Sequence, residues 1–146
     1  MSRSDPEHTF AEDVLKSGEN TKTYTAGEAL DARDGVTLND DYEVVEATDG
    51  AEGIGVNAYD VAAGQSATII VGDGSVEVRV EASDGGALAA PSAGDAVSYD
   101  GAGGFKFADA NNDDVVWGVA NSDGTDGQLF DVLLAIDELG NIGDST

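Results

Sequence analysis

Ile54-Gly55-Val56 is followed nine residues later by Gly64-Gln65, and the arrangement returns sixty-three positions on. There Trp117-Gly118-Val119 leads to Gly127-Gln128 at the same interval. Asp60 matches Asp123, and the apolar run after each Gln also corresponds, Ala67 to Val71 against Phe130 to Leu134. Upstream, Ala26-Gly27-Glu28-Ala29-Leu30 finds a counterpart in Ala93-Gly94-Asp95-Ala96-Val97, four residues off that register. Identities that hold one offset through a turn constrain the fold strongly. They describe two copies of one supersecondary unit. A Gly inside a strand allows close backbone approach, so Gly55 and Gly118 mark equivalent packing points.

The residues between these anchors read as short strands separated by turns. Thr21 to Thr25 alternates as a strand. Arg33-Asp34-Gly35 is a tight turn in which Asp-Gly supplies the positive φ. Val36-Thr37-Leu38 and Tyr42 to Ala47 follow, then the Ile-Gly-Val element at 53–58. Ala67 to Val71 and Ser75 to Ala82 flank Gly72-Asp73-Gly74, which predicts a hairpin. Val76, Val78 and Val80 alternate with Glu77, Arg79 and Glu81, so one face is buried and one wet. The Gly/Ala-rich stretch 83–92, with Pro91, is the boundary between the half-repeats, which run over about 21–82 and 93–136. The second unit holds strands at Asp95 to Tyr99, Phe105 to Ala108, Val115 to Ala120 and Leu129 to Ile136. About ten short strands with turns every 6–12 residues give an all-β domain, a small β-barrel or sandwich. Whether the halves close one barrel or form two lobes is open at this point.

Both ends lie outside this pattern. Residues 1–20 read as an extended, flexible N-terminal arm. Within it, Phe10, Val14 and Leu15 fall at helical spacing, which predicts a short amphipathic turn from about 7 to 16. Residues 137–146 form a short acidic tail. No apolar run approaches a membrane span, and the first twenty residues lack the apolar core of a signal peptide.

Charge bounds the partners. Thirty Asp and Glu face six Lys and Arg, a formal net charge of −24. Nucleic acid and anionic membrane are poor partners, because binding either needs basic groups. The acids are dispersed between apolar strands and 40% of residues are hydrophobic, which favours a folded chain over a disordered one. A folded chain with this charge is suited to very high salt, since at about 1 M the Debye length is ~3 Å.

Candidate chemistry is sparse. There is no Cys, so disulfides, thiolate metal sites and thiol nucleophiles are excluded. His8, the only histidine, sits in the arm, and no Ser-His-Asp arrangement follows from the sequence. Paired carboxylates could run glycoside hydrolysis, but with thirty acids such pairs carry no specificity. Catalysis would need a pocket of converging carboxylates with perturbed pKa values. Asp109, Asn111 and Asp113 stand at the first, third and fifth positions of a calcium loop, yet Asp114 and Ala120 replace its Gly and Glu, so the EF-hand reading fails. They are weak metal candidates beside a solvated-turn reading. Trp117, the single tryptophan, matches Ile54 and reads as core, with an interface anchor as the alternative. No phosphate-binding glycine motif opens a helix, and nothing calls for a cofactor.

These motifs, taken in order, resemble the capsid decoration (cement) proteins of tailed viruses. Ala26 to Leu30, Ile54 to Gln65, Ala93 to Val97 and Trp117-Gly118-Val119-Ala120 carry the resemblance, which covers roughly 24–135. It implies a small β-barrel or β-tulip without enzymatic activity. Such a protein assembles as a homotrimer on the outer face of a viral head, formed in the host cytoplasm, and clamps major capsid subunits together. Its N-terminal segment orders on the shell. Here that points to Phe10, Val14 and Leu15 as docking anchors. Tyr24 joins them, within a strand (Thr21 to Thr25) that could add to a neighbour's sheet edge. The acidity departs from the ordinary family pattern and suggests a virus of a halophilic archaeon. The alternative is a receptor- or carbohydrate-binding β-module of a virion spike or halophile cell surface.

Overall fold

The computed structural model describes residues 14–18, 20–72, 74–86 and 89–136. Eleven strands follow in order: β1 (Leu15–Ser17), β2 (Thr21–Thr25), β3 (Gly35–Leu38), β4 (Val44–Glu46), β5 (Gly55–Asn57), β6 (Ser66–Ile70), β7 (Val76–Ala82), β8 (Ala96–Tyr99), β9 (Gly104–Phe107), β10 (Gly118–Ala120) and β11 (Leu129–Leu134), with one 3-10 turn at Ala110–Asn112. The fold is all-β, as the turn spacing predicts.

The strands form two barrels with the same connectivity. One sheet runs β2-β6-β5-β3-β4, and the other runs β1-β7-β11-β10-β8-β9, whose last five strands repeat the first sheet's connectivity. The second closes when β9 returns to β7 in parallel, Ala82 beside Phe105. The first closes at the matching point through the parallel bridge Ala26–Val44. Backbone bonds repeat pair for pair. Ile54 N donates to Val36 O as Trp117 N does to Val97 O, and Gly64 N donates to Ala26 O as Gly127 N does to Ala82 O. The duplication read from the sequence is therefore physical, and it yields two lobes.

The structure departs from expectation in the repeat register, the 33–35 turn and the 72–74 hairpin. The counterpart of Ala93 to Val97 is Ala32 to Val36, because Ala32 N and Ala93 N receive the same cap from Asp60 and Asp123. Ala26-Gly27 corresponds instead to Ala82-Ser83, which bond alike to Val44 and Phe105. The positive φ of the 33–35 turn falls on Arg33 (φ 80), not on Gly35, and its counterpart Gly94 has φ 94. The hairpin expected across 72–74 does not form. Both edges of β6 are taken by β2 and β5, and Gly72 N and Gly74 N donate to Ile136 and Leu134 of the second barrel. The boundary between the halves therefore lies around 72–75, and β7 belongs to the second half.

The described part of the arm is also committed. Leu15–Ser17 is a strand on β7, so the expected turn does not reach Leu15 and Lys16; Val14 just before it is helical, and the rest of that turn lies outside the described residues. Val14 is fully buried in the core of the second barrel. Residues 1–13, with Phe10, and the tail 137–146 lie outside the described residues.

Each barrel fills its interior with inward residues of alternating strands. The first is aliphatic, with Val36, Val44, Ile54 and Ile69 at its centre. The second holds Tyr99, Phe105 and Trp117, their ring centroids 5.1–5.7 Å apart. Val56 and Ile70 sit on the outer face of the first barrel, yet they are buried in the same cluster as those aromatics. The junction between the barrels is thus continuous with the second core.

Candidate functional site

Trp117 anchors that junction. Its backbone belongs to the second barrel, while its indole Nε1 donates to the Ala51 carbonyl of the first at 2.9 Å. Beside it, Tyr99 Oη donates to Glu46 Oε2 at 2.5 Å and accepts from Gly103 N at 2.9 Å. Burial, and then the Glu46 carboxylate to which it donates, push the Tyr99 hydroxyl far above its ordinary pKa. Tyr99 therefore acts as a neutral donor that ties β8 to β4. On the other flank Lys106 bridges Asp49 at 2.7 Å and Asp114 at 3.4 Å. Burial works against the Lys106 ammonium, but the two carboxylates outweigh it and hold its pKa above the usual value.

A cleft of about 380 Å³ opens next to this contact. Asp31, Asp34, Glu46 and Glu81 line it, with Arg33, Gly103 and Leu129. Asn57, buried at the base of the loop, fixes its wall by donating to the Asp31 and Tyr59 carbonyls. Asp34 Oδ2 accepts from Asp31 N at 2.9 Å. Burial pushes the Asp34 carboxyl up to about 6, with Glu46, Asp31 and Asp60 adding like charge. Asp34 can thus change charge near neutral pH. Four carboxylates thus line one cleft, and among them burial perturbs Asp34. These acids could not be picked out of thirty by spacing, because β3, β4 and β7 bring them together from distant positions.

The other sequence candidates are placed as follows. Asp109 closes its own loop, accepting from Asn111 N and Asn112 Nδ2, while its backbone N–H donates to Asp114. Asp113 has φ 57 in the same loop. Among the described residues, no three His, Cys, Asp or Glu cluster in a way that could hold a metal ion. Val14 is core, Leu15 packs against that core, and Tyr24 is half-buried against the first core. The structure therefore does not bring Val14, Leu15 and Tyr24 to one docking surface. Next to them, Asp131 is held by Lys16 of β1 and Arg79 of β7. Burial opposes its charge, but these two cations outweigh it and keep its pKa below the usual carboxylate range.

No protein-family model matches the chain, and no curated protein does. Among solved structures, the fold is similar to the head fiber gp8.5 N base of bacteriophage phi29. The TM-score is 0.60 and the identity 19%, over 79% of this chain and 92% of that one. The likeness spans both barrels and establishes the shared fold.

Proposed function

We propose that this protein is a non-catalytic structural component of a tailed virus, seated as a homotrimer on the outer surface of the head, where it bridges neighbouring shell subunits. The observation that carries this reading is the fold shared with a phage head fiber base over nearly the whole of that chain. The ordered motifs that resemble capsid decoration proteins support it independently. Its action is mechanical. A molecule that binds only the assembled shell stabilises that shell by mass action. Exposed ion pairs contribute little in the high salt that a charge of −24 suits. Docking therefore leans on apolar contacts and backbone hydrogen bonds. The host implied by the acidity is a halophilic archaeon.

The acidic cleft favours a second reading, acid–base catalysis at Asp34. Against it, Glu46 is engaged by the Tyr99 hydroxyl, and Asp34 owes its raised pKa first to burial at the barrel junction. Glycan binding loses its best aromatic, because Trp117 is fully buried.

Co-sedimentation of the full chain with purified heads at multimolar KCl tests the proposal. Saturable co-pelleting is expected, unchanged by Asp34→Asn. Protein that stays in the supernatant at every concentration would remove the head-associated reading.

A further inference from the structure

β2 and β7 are counterparts, and the chain treats their outer edges differently. Thr21, Thr23 and Thr25 pair with Ile70, Thr68 and Ser66 as Glu77, Arg79 and Glu81 pair with Leu133, Asp131 and Leu129. On β7 the start of the outer edge is taken by β1, which runs antiparallel with Leu15 opposite Val78 and Ser17 opposite Glu77. On β2 no strand among the described residues takes the equivalent edge, and the closure of that barrel begins only at Ala26. The ladder to β6 fixes which groups stand there. Val71 N donates to Asn20 O, and Ala26 N donates to Gln65 O. Alternation between these two points turns the backbone N–H and C=O of Lys22 and Tyr24 towards β6, and those of Thr21 and Thr23 away from it. Both threonines are exposed.

The face beside that edge carries no acid. The positions that hold Glu77, Arg79, Glu81 and Asp131 in the second barrel hold Thr21, Thr23, Thr25 and Thr68 in the first. No Asp or Glu occurs in Thr21–Thr25 or in residues 61–71, although the chain has thirty acids. Residues 62–66 extend the same surface, exposed and uncharged. A contact face sheds its water, and a carboxylate covered without a cation costs far more than a hydroxyl that finds a partner. With six Lys and Arg in the whole chain, few acids could be covered with a cation beside them. The acid-free face is therefore the one most readily buried. The edge also selects its occupant. A row of outward N–H and C=O groups is answered group for group by another extended backbone.

We infer that β2 receives an extended segment of a shell subunit, added antiparallel along Thr21 and Thr23 as β1 is added to β7. This rests on the head-associated reading and supplies its docking mode. Because β6 holds the other edge of β2, the incoming strand enters on this side alone. On the second barrel β1 already occupies the matching place, so each copy of the chain accepts one such strand.

The test is binding of the full chain to purified heads at multimolar KCl, read by co-sedimentation, with hydrogen exchange of the 21–25 amides in free and bound protein. Thr23→Pro removes one outward N–H and leaves the bonds to β6 in place. Thr68→Asp puts back the carboxylate of the second barrel and leaves the backbone untouched. Val119→Asn, at an exposed site on the second barrel, is the control. Circular dichroism checks that each variant is folded. Thr23→Pro should bind roughly 10-fold more weakly, as for a lost backbone hydrogen bond. Thr68→Asp should weaken binding by a similar factor, and Val119→Asn should bind like wild type. The Thr21 and Thr23 amides should exchange fast in the free chain and slowly on heads. Wild-type protein that stays in the supernatant would remove the head-associated reading and this inference with it. Wild-type binding that Thr23→Pro leaves unchanged would overturn the inference alone. So would slow exchange at Thr21 and Thr23 in the free chain, which would show the edge covered by the chain itself. A loss of self-association in Thr23→Pro without heads would assign the edge to a second copy and overturn it equally.

Discussion

The Trp117 indole occupies the space that a side chain on Gly53 would need, so the two barrels interlock through a tryptophan on one and a missing Cβ on the other. Gly53→Ala should therefore destabilise the fold by about 1–3 kcal/mol, the usual cost of overpacking. Trp117→Ala should cost about 3–5 kcal/mol, through lost packing and the stranded Ala51 carbonyl. Chemical denaturation reads both. The two effects should not add in the double variant, since each disturbs the same contact.

Gly55 and Gly118 are equivalent in a second sense. A Cβ on either would press into a carbonyl oxygen, that of Ile70 or of Leu133. Ala at either position should lower the melting temperature by a similar amount. A large loss at one position and none at the other would contradict the equivalence of the barrels.

Acid has opposite effects on two carboxylates. The folded pKa of Asp34, about 6, lies above its ordinary 3.8. The folded state therefore takes up a proton before the unfolded chain does, and stability rises as pH falls from above 6 towards 3.8. Asp34→Asn should remove that rise. Asp131 is depressed, so its contribution is present above the unfolded value and is lost as pH falls through its lower folded pKa. Melting temperature against pH in Asp34→Asn and Asp131→Asn should separate the two.

A formal charge of −24 on 146 residues repels itself unless screened. Melting temperature should climb steeply from low to multimolar KCl, measured by scanning calorimetry. A flat profile would sink the adaptation to high salt.

How legible was all this in the sequence? The Gly-Val anchors revealed the duplication because Gly55 and Gly118 lie where backbones touch, and the Gly-Gln anchors because Gly64 and Gly127 both hold a positive φ (86 and 82). The upstream alignment slipped because Ala-Gly-Glu and Ala-Gly-Asp look alike, whereas the true counterpart of Gly94 is Arg33, which adopts the left-handed φ without being glycine. The expected hairpin at 72–74 failed for a tertiary reason. Turn chemistry was right, but β6 had no free edge to offer β7. Leu15 read as part of a helical stripe because three apolar residues cannot show where a turn gives way to a short edge strand, which here begins right after helical Val14. The cleft was invisible, since Asp34, Glu46 and Glu81 carry no local signal and meet only after both barrels close.

The proposed head-associated role is tested most directly by a cryo-electron microscopy map of heads incubated with the full chain at multimolar KCl. The account predicts density for two stacked barrels on the outer face, at junctions between shell subunits and at regular occupancy. A shell whose outer surface is bare, or density confined to the tail, would contradict it.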